Sequence, residues 1–236
     1  MAGRADPAVA LDLLARGEVA LKGRMPRSSN ATFLVEVDLE GTTALAVYKP
    51  ERGERPLWDF PPGLYRREIA AYLLSEALGW GIVPPTAPRD GPLGEGSLQL
   101  FVHADFRQHY FTLLEQAEHR EALQRICLFD LVANNADRKS GHCLWVPDDR
   151  IYAIDHGLTF HVESKLRTVI WDFGEEPIAP ALLEDVRRVL DALPRALVDL
   201  LDPEEVRGLK RRARGLLRAG HFPVDHSGLR YPWPLI

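Results

Sequence analysis

The stretch that most constrains this chain covers residues 131–161, "LVANNADRKSGHCLWVPDDRIYAIDHGLTFH". A helical run ends in "VANN", a polar loop follows, and two short β-like runs, "LWV" and "IYAID", flank Pro147-Asp148-Asp149-Arg150. The pattern predicts a helix, a loop and an antiparallel hairpin in direct succession. A turn centred between Asp148 and Asp149 makes Val146 face Ile151, Leu144 face Ala153, and His142 face Asp155. Directly opposed residues hold their Cβ atoms about 4.5–5.5 Å apart. His142 and Asp155 are thus expected to reach one cation, with Asp137 on the loop that enters the hairpin. Each residue also has a plainer reading: Asp137 closing its own turn through an Asx hydrogen bond, His142 as a structural group, Asp155 as the end of a strand.

Length and composition limit what surrounds this stretch. With 236 residues, 46% of them hydrophobic, the chain can bury a substantial core as one domain of two lobes. A net charge of -5 argues against a nucleic-acid binder. Charges interrupt the apolar runs of the first residues, which excludes a signal-peptide core, and no later run is apolar long enough to span a bilayer. A cytoplasmic location is expected. Cys127 and Cys143 lack metal-ligand spacing and read as free thiols in the core.

Organisation along the chain runs from strands to helices. "FLVEV" and "ALAVYK", joined by "DLEGTT", predict a hairpin with Lys49 at its exit. "LYRREIAAYLLSEALGWG" places Ile69, Tyr72, Leu73 and Leu78 at helical spacing and stops at Gly79, so Glu68 sits early in a helix. "SLQLFVHAD" reads as a strand and "HREALQRICLFDLVAN" as a helix. Residues 180–218 read as two or three amphipathic helices, with Pro194 as a breaker and "DPEE" as a restart. The expected fold is α+β and protein-kinase-like, with a small antiparallel-sheet N-lobe over residues 1–103 and a helical C-lobe over residues 104–236.

Phosphoryl transfer uses such a set of groups: one carboxylate orients the attacking hydroxyl, and further ligands hold divalent ions on the nucleotide phosphates. Asp137 and His142 keep the D-x-x-x-x-N spacing of the kinase catalytic loop, with histidine for asparagine, and "AIDHG" supplies an Asp-x-Gly turn after a strand. "WDFG" at residues 171–174 matches the kinase tripeptide, but it follows no hairpin leaving the catalytic loop and is set aside. A lysine leaving a strand and a glutamate in the next helix, here Lys49 and Glu68, form the pair that positions the α/β-phosphates in kinases.

Taken in order, "SSNATFLVEV", "ALAVYKP", "LYRREIAAYLLSEALGWGIVPPT", "LFDLVANNADRKSGHCL" and "YAIDHGLTF" resemble the phosphate loop, lysine strand, glutamate helix, catalytic loop and metal-binding turn of the phosphatidylinositol 3-/4-kinase superfamily. The closest likeness is to type II phosphatidylinositol 4-kinases; the layout is shared with HipA-like protein kinases, and the chain also resembles an actinobacterial kinase-like group. The resemblance covers residues 28–161. It implies that Ser28, Ser29 and Asn30 contact nucleotide phosphates, that Lys49 binds them and Glu68 anchors Lys49, and that Gln99, Phe101 and Val102 form the hinge beside adenine. It further implies Asp137 as the catalytic aspartate, Asn135 and Arg138 shaping its loop, and Asp155 and His142 as ligands of Mg2+ or Mn2+. Histidine departs from the family's asparagine and suits magnesium poorly, which leaves a single metal, a preference for manganese, or a direct phosphate contact open.

The expected activity is an ATP-dependent phosphotransferase whose hydroxyl acceptor is a lipid, a protein Ser/Thr or a small molecule. A non-catalytic nucleotide-binding protein is the alternative, and nucleotide transfer onto a protein is a third reading. Two further stretches are ambiguous. The basic run "KRRARGLLR" leaves peripheral membrane contact open but is more commonly a solvated helix face. Trp58, Phe60, Pro61 and Pro62 either shape a lid or partner surface or pack onto the core.

Overall fold

The computed structural model describes residues 6–26, 28–147 and 150–235. In chain order it contains α1 (Pro7–Arg16), β1 (Glu18–Arg24), β2 (Phe33–Leu39), β3 (Thr42–Pro50), α2 (Leu64–Leu78), β4 (Thr86–Gly91) and β5 (Gly94–Leu100). Then follow α3 (Tyr110–Leu114), α4 (Arg120–Ala133), β6 (Cys143–Trp145), β7 (Ile151–Ala153), α5 (Pro180–Asp191), α6 (Arg195–Val198) and α7 (Pro203–Ala219). The first five strands form one antiparallel sheet ordered β1-β2-β3-β5-β4. Sheet first and helices second give the two-lobed α+β architecture that the sequence predicts.

The β2–β3 hairpin shows how the sheet sorts its residues. Leu39 pairs with Thr42, leaving Glu40 and Gly41 as a two-residue turn with φ of 54° and 83°, the conformation whose twist matches the flanking strands. Alternation then separates two faces. Val35, Val37, Ala46 and Tyr48 are buried against Leu13 and Leu14 of α1, while Leu34, Val47 and Lys49 on the opposite face remain partly exposed.

Helix α2 is buried around most of its circumference because it packs on β4 and β5 on one side and on α5 and α6 on the other. Such a helix needs no single apolar stripe. Its first turn is capped by a side chain from the preceding loop: the Glu54 carboxylate accepts the N–H groups of Gly63 at 2.9 Å and Tyr65 at 2.8 Å. Its end is the left-handed Gly79, at φ 75°. Arg67, one turn in, ion-pairs with Glu205 at the start of α7, and both are buried. Helix α2 is therefore tied to the second lobe from its first turns. Helices α4, α5 and α7 build the larger core around Phe129, Val186, Val189, Leu209 and Ala213.

One expectation about the opening stretch is corrected. The β6–β7 ladder pairs Cys143 with Ala153, Leu144 with Tyr152 and Trp145 with Ile151, one residue out of the expected register. Val146 N–H bonds the Arg150 carbonyl at 2.9 Å, so three residues rather than two lie between the paired ends, and a one-residue slip exchanges the two faces of a strand. The centre of that turn, Asp148 and Asp149, lies outside the described residues. His142 therefore faces Ile154, whose N–H bonds the His142 carbonyl at 3.0 Å.

Strands β1 and β4 and helices α1 and α3 stand where the sequence predicts no element. Setting "WDFG" aside agrees with its surroundings: Asp172 accepts the Tyr110 hydroxyl at 2.6 Å and Phe173 is a core residue. Both cysteines are buried free thiols. Among the described residues no helix is long and apolar enough to cross a membrane.

Candidate active site

Lys49 stands at the exit of β3, on the face of the sheet turned away from α1. Its Nζ ion-pairs with Glu68 Oε1 of α2 and with Asp155 Oδ1, the latter at 2.9 Å. Burial works against the ammonium, but Asp155 and Glu68 outweigh it and raise the Lys49 pKa, so lysine is charged at any ordinary pH. Glu68 is buried and spends its other oxygen on the His156 N–H, at 3.0 Å. Asp155 differs: half of its side chain is exposed. The Lys49 ammonium is the largest influence holding its carboxyl far below the usual aspartate range, against the opposing effect of burial. Asp155 follows β7 with φ of 61°, a left-handed conformation that aspartate tolerates better than most residues. That bend brings its carboxylate beside His142 despite the shifted register.

The loop between α4 and β6 is organised by its own polar side chains. Asn134 ends α4 in a left-handed conformation, at φ 58°. Its amide donates to the His161 and Glu163 carbonyls at 2.9 and 2.6 Å and accepts the Lys165 N–H at 3.0 Å. Asn135 donates to Asp130 Oδ1 at 3.0 Å and accepts the Asp137 N–H at 3.0 Å. Arg138 is fully buried. It makes a two-pronged ion pair with Asp130, at 2.8 and 3.0 Å, and donates to the Ile154 carbonyl at 2.7 Å and to His156 Nε2 at 2.8 Å. One guanidinium thus fixes the spacing between the Asp137 loop and the Asp155 turn.

Asp137 itself points out of this network, about one quarter exposed, with Oδ2 2.9 Å from Lys139 Nζ. Burial pushes its carboxyl up from the usual value, and Lys139 pulls it part of the way back. His142 is mostly buried; its Nε2 lies 3.5 Å from Asp155 Oδ2. Burial drives its pKa down to about 4, Asp155 opposing and Arg138, Lys139 and Lys49 reinforcing the drop. It is a neutral imidazole at pH 7.

Lys49, Glu68, Asp155, His142 and Arg138 are therefore joined by contacts, and Asn135 reaches them through Asp130, with Asp137 on the same loop. The expected phosphate loop and hinge are not joined to them in this way. Ser28 donates its hydroxyl to Thr32 at 2.8 Å, Asn30 accepts the Arg55 N–H at 3.0 Å, and Ser29 is exposed. Gln99 lies within β5, buried, with its amide on Thr86 at 2.9 Å. Its side chain is committed to the neighbouring strand. Phe101 donates its N–H to the Leu45 carbonyl at 2.9 Å, and Val102 accepts from Ala104 at 3.0 Å.

Sequence reasoning missed Glu54, Asp130 and His156. The signal for Asp130 was a lone acid in the apolar run "ICLFDLVA", which calls for a buried cation; Arg138 is that cation. The aromatic loop divides. Phe60 packs on the His161 ring at 4.9 Å and against Ala136, while Trp58 is 95% exposed with Lys165 Nζ over its ring, 5.6 Å away. On α7 the basic run is partly engaged: Arg212 and Arg211 donate to the carbonyls of Val132, His161 and Val162.

A divalent cation fits this donor set in one way. Among the described residues no three His, Cys, Asp or Glu side chains gather as a cage. A single half-exposed carboxylate beside a lysine instead suits a hard ion that takes its remaining ligands from phosphate oxygens and water.

No protein-family model matches the chain. Protein Rv2133c of Mycobacterium tuberculosis (strain ATCC 25618 / H37Rv) is 40% identical over 260 aligned residues, which cover 94% of each chain. Among solved structures, the Golgi casein kinase with Mn/ADP bound superposes with a TM-score of 0.59 at 14% identity, over 98% of this chain and 80% of that one. A hydra Fam20 with sugar gives 0.58 at 13% identity, over 93% and 89%. At such identity the likeness is one of fold, and the fold is kinase-like.

Proposed function

We propose that this chain, which belongs to the same family as Protein Rv2133c of Mycobacterium tuberculosis, moves the γ-phosphoryl group of ATP to a hydroxyl acceptor through a cleft of the phosphatidylinositol 3-/4-kinase type. The observation that carries the reading is Lys49 held between a buried glutamate and a half-exposed aspartate, with Asp137 on the loop locked to that aspartate's turn. In this reading residues 1–103 form the nucleotide-covering lobe and residues 104–236 the catalytic lobe. Ser28, Ser29 and Asn30 cover the phosphates through the loop between β1 and β2, and the chain around Phe101 and Val102 passes the base.

Each group has a physical task. Lys49, kept charged and aimed by Glu68, neutralises phosphate oxygens and orients them. Asp155 would hold Mg2+ or Mn2+, which when bound supplies charge neutralisation at the phosphates; the Mn/ADP carried by the Golgi casein kinase is consistent with that choice. Asp137 accepts a hydrogen bond from the acceptor hydroxyl, aligns it for in-line attack and takes its proton. Arg138 and Asn135 hold Asp137 at its distance from Asp155 and touch no reactant.

The test is γ-phosphate consumption by the purified protein with ATP and Mg2+ or Mn2+, beside Asp137→Ala and a nucleotide titration. Turnover or self-labelling that disappears in the variant supports the reading and opens a screen of lipid, protein and small-molecule alcohols. Metal-dependent binding with no turnover on any acceptor would favour a nucleotide-binding regulatory protein, the reading that histidine at the asparagine position also favours. No nucleotide binding would overturn the assignment.

A further inference from the structure

We infer that His142 is a hydrogen-bond donor that positions Asp155, and not a ligand of the divalent cation. The inference deepens the phosphotransferase reading and rests on it for the cation, while the state of the ring can be tested without it.

Both nitrogens of the imidazole are already assigned by their neighbours. His142 closes a short turn over residues 140–142, and its Nδ1 accepts the backbone N–H of Lys139 at 3.4 Å. A ring nitrogen that accepts a hydrogen bond carries no hydrogen, so in the neutral ring the proton sits on Nε2. That nitrogen is the one facing Asp155 Oδ2, at 3.5 Å. Coordination needs a lone pair on the nitrogen nearest the cation, and Nε2–H has none to give. Releasing one would move the hydrogen to Nδ1, where it would collide with the Lys139 N–H and leave that group unsatisfied. Protonating both nitrogens is no escape, because it also puts a hydrogen on Nδ1 against the Lys139 N–H.

Asp155 gains from this arrangement. Half exposed and carried on a left-handed residue, it has one oxygen held by Lys49 and the other facing His142 Nε2 at 3.5 Å. A carboxylate offers about four lone-pair sites, so the Lys49 ammonium on one oxygen and the ring N–H facing the other leave acceptor capacity for a hard cation. This accounts for histidine in place of asparagine without a soft nitrogen at a magnesium site.

Two experiments decide the matter. Side-chain 15N NMR of the full chain at pH 7, without metal or nucleotide, should show His142 as the neutral tautomer protonated on Nε2; an Nδ1-protonated ring would overturn the inference. Electron spin echo modulation of Mn2+ bound with a non-hydrolysable ATP analogue should show no nitrogen coupling that depends on residue 142. A coupling present in the wild type and lost in His142→Gln would also overturn it. In activity, His142→Gln, which keeps a donor, should stay within about threefold of wild type, whereas His142→Ala should lose about tenfold in kcat with an unchanged nucleotide Kd. Equal kcat values for the two variants would remove the positioning role. Wild-type protein that binds no Mn2+ with the analogue would instead sink the phosphotransferase reading, and the NMR result would stand apart from it.

Discussion

Two cation–carboxylate clusters lie side by side in this molecule, and they are built to opposite ends. In one, Arg138 and Asp130 are both essentially inaccessible, and Asn135, His156 and two backbone carbonyls take up the remaining donors and acceptors. In the other, Lys49 meets a buried Glu68 on one side and a half-exposed Asp155 on the other. The first spends every guanidinium N–H of Arg138 inside the protein and acts as a fixed spacer. The second leaves carboxylate lone pairs facing solvent, which is where an ion and phosphates can enter. Saturation separates a structural ion pair from a chemical one here, since charge and residue type do not.

The largest expected effect comes from breaking the saturated cluster. Arg138→Leu leaves Asp130 as an unpaired buried charge and should cost about 3–5 kcal/mol of unfolding free energy, read from urea titration. Asp155→Asn, by contrast, changes an ion pair at a half-exposed site and should cost only about 0–1 kcal/mol, yet remove metal-dependent nucleotide binding. Comparable losses of stability in the two variants would dissolve the distinction between the clusters.

Next in size is Asp137→Ala. If Asp137 aligns the acceptor as proposed, its removal should lower turnover by about 10²-fold, equivalent to about 2.7 kcal/mol of transition-state stabilisation, with nucleotide affinity unchanged. The lowered rate should come with no loss of unfolding free energy beyond about 1 kcal/mol, because the ion partner of Asp137 is the partly exposed Lys139. A variant that turns over like the wild type would take Asp137 out of the mechanism.

Most of the elements that carry these groups were legible in the sequence because they obey local rules. The "DLEGTT" turn between β-branched runs, Gly79 after a helical period, and the acids of "DPEE" after Leu201 each answer to a short-range cause. The misses have equally particular causes. Strand β1 exposes six of its seven residues and shows no alternation to read, and β4 carries Pro88 near its centre, which argues against a strand on sequence alone. The hairpin register failed because it depends on whether two or three residues lie between the paired ends. The resemblance implies that Arg138 shapes its loop, yet nothing local announces a fully buried arginine; its partner Asp130 sits eight residues away across a helix end. Chemistry that rests on side-chain direction, such as the ring nitrogens of His142 or the commitment of Gln99 to Thr86, becomes readable only when the elements are packed.

The smallest expected effect sharpens the comparison at the edge of the open cluster. In the proposed mechanism Asp137 serves as a base only when ionised, and its carboxyl is raised from the usual value by burial and lowered in part by Lys139. With a raised pKa, the protonated and inactive form persists to higher pH, so activity should fall on the acid side above the range of an ordinary aspartate, near pH 3.9. Lys139→Ala removes the lowering influence, and the acid limb of kcat should move to still higher pH while the plateau changes little. Raised ionic strength should move the wild-type limb the same way, because the 2.9 Å ion pair is partly exposed and therefore screened. Were the limb to stay in place in Lys139→Ala, the titrating base would be a group other than Asp137, and the open cluster would have to be re-read with Asp155 as its only working carboxylate.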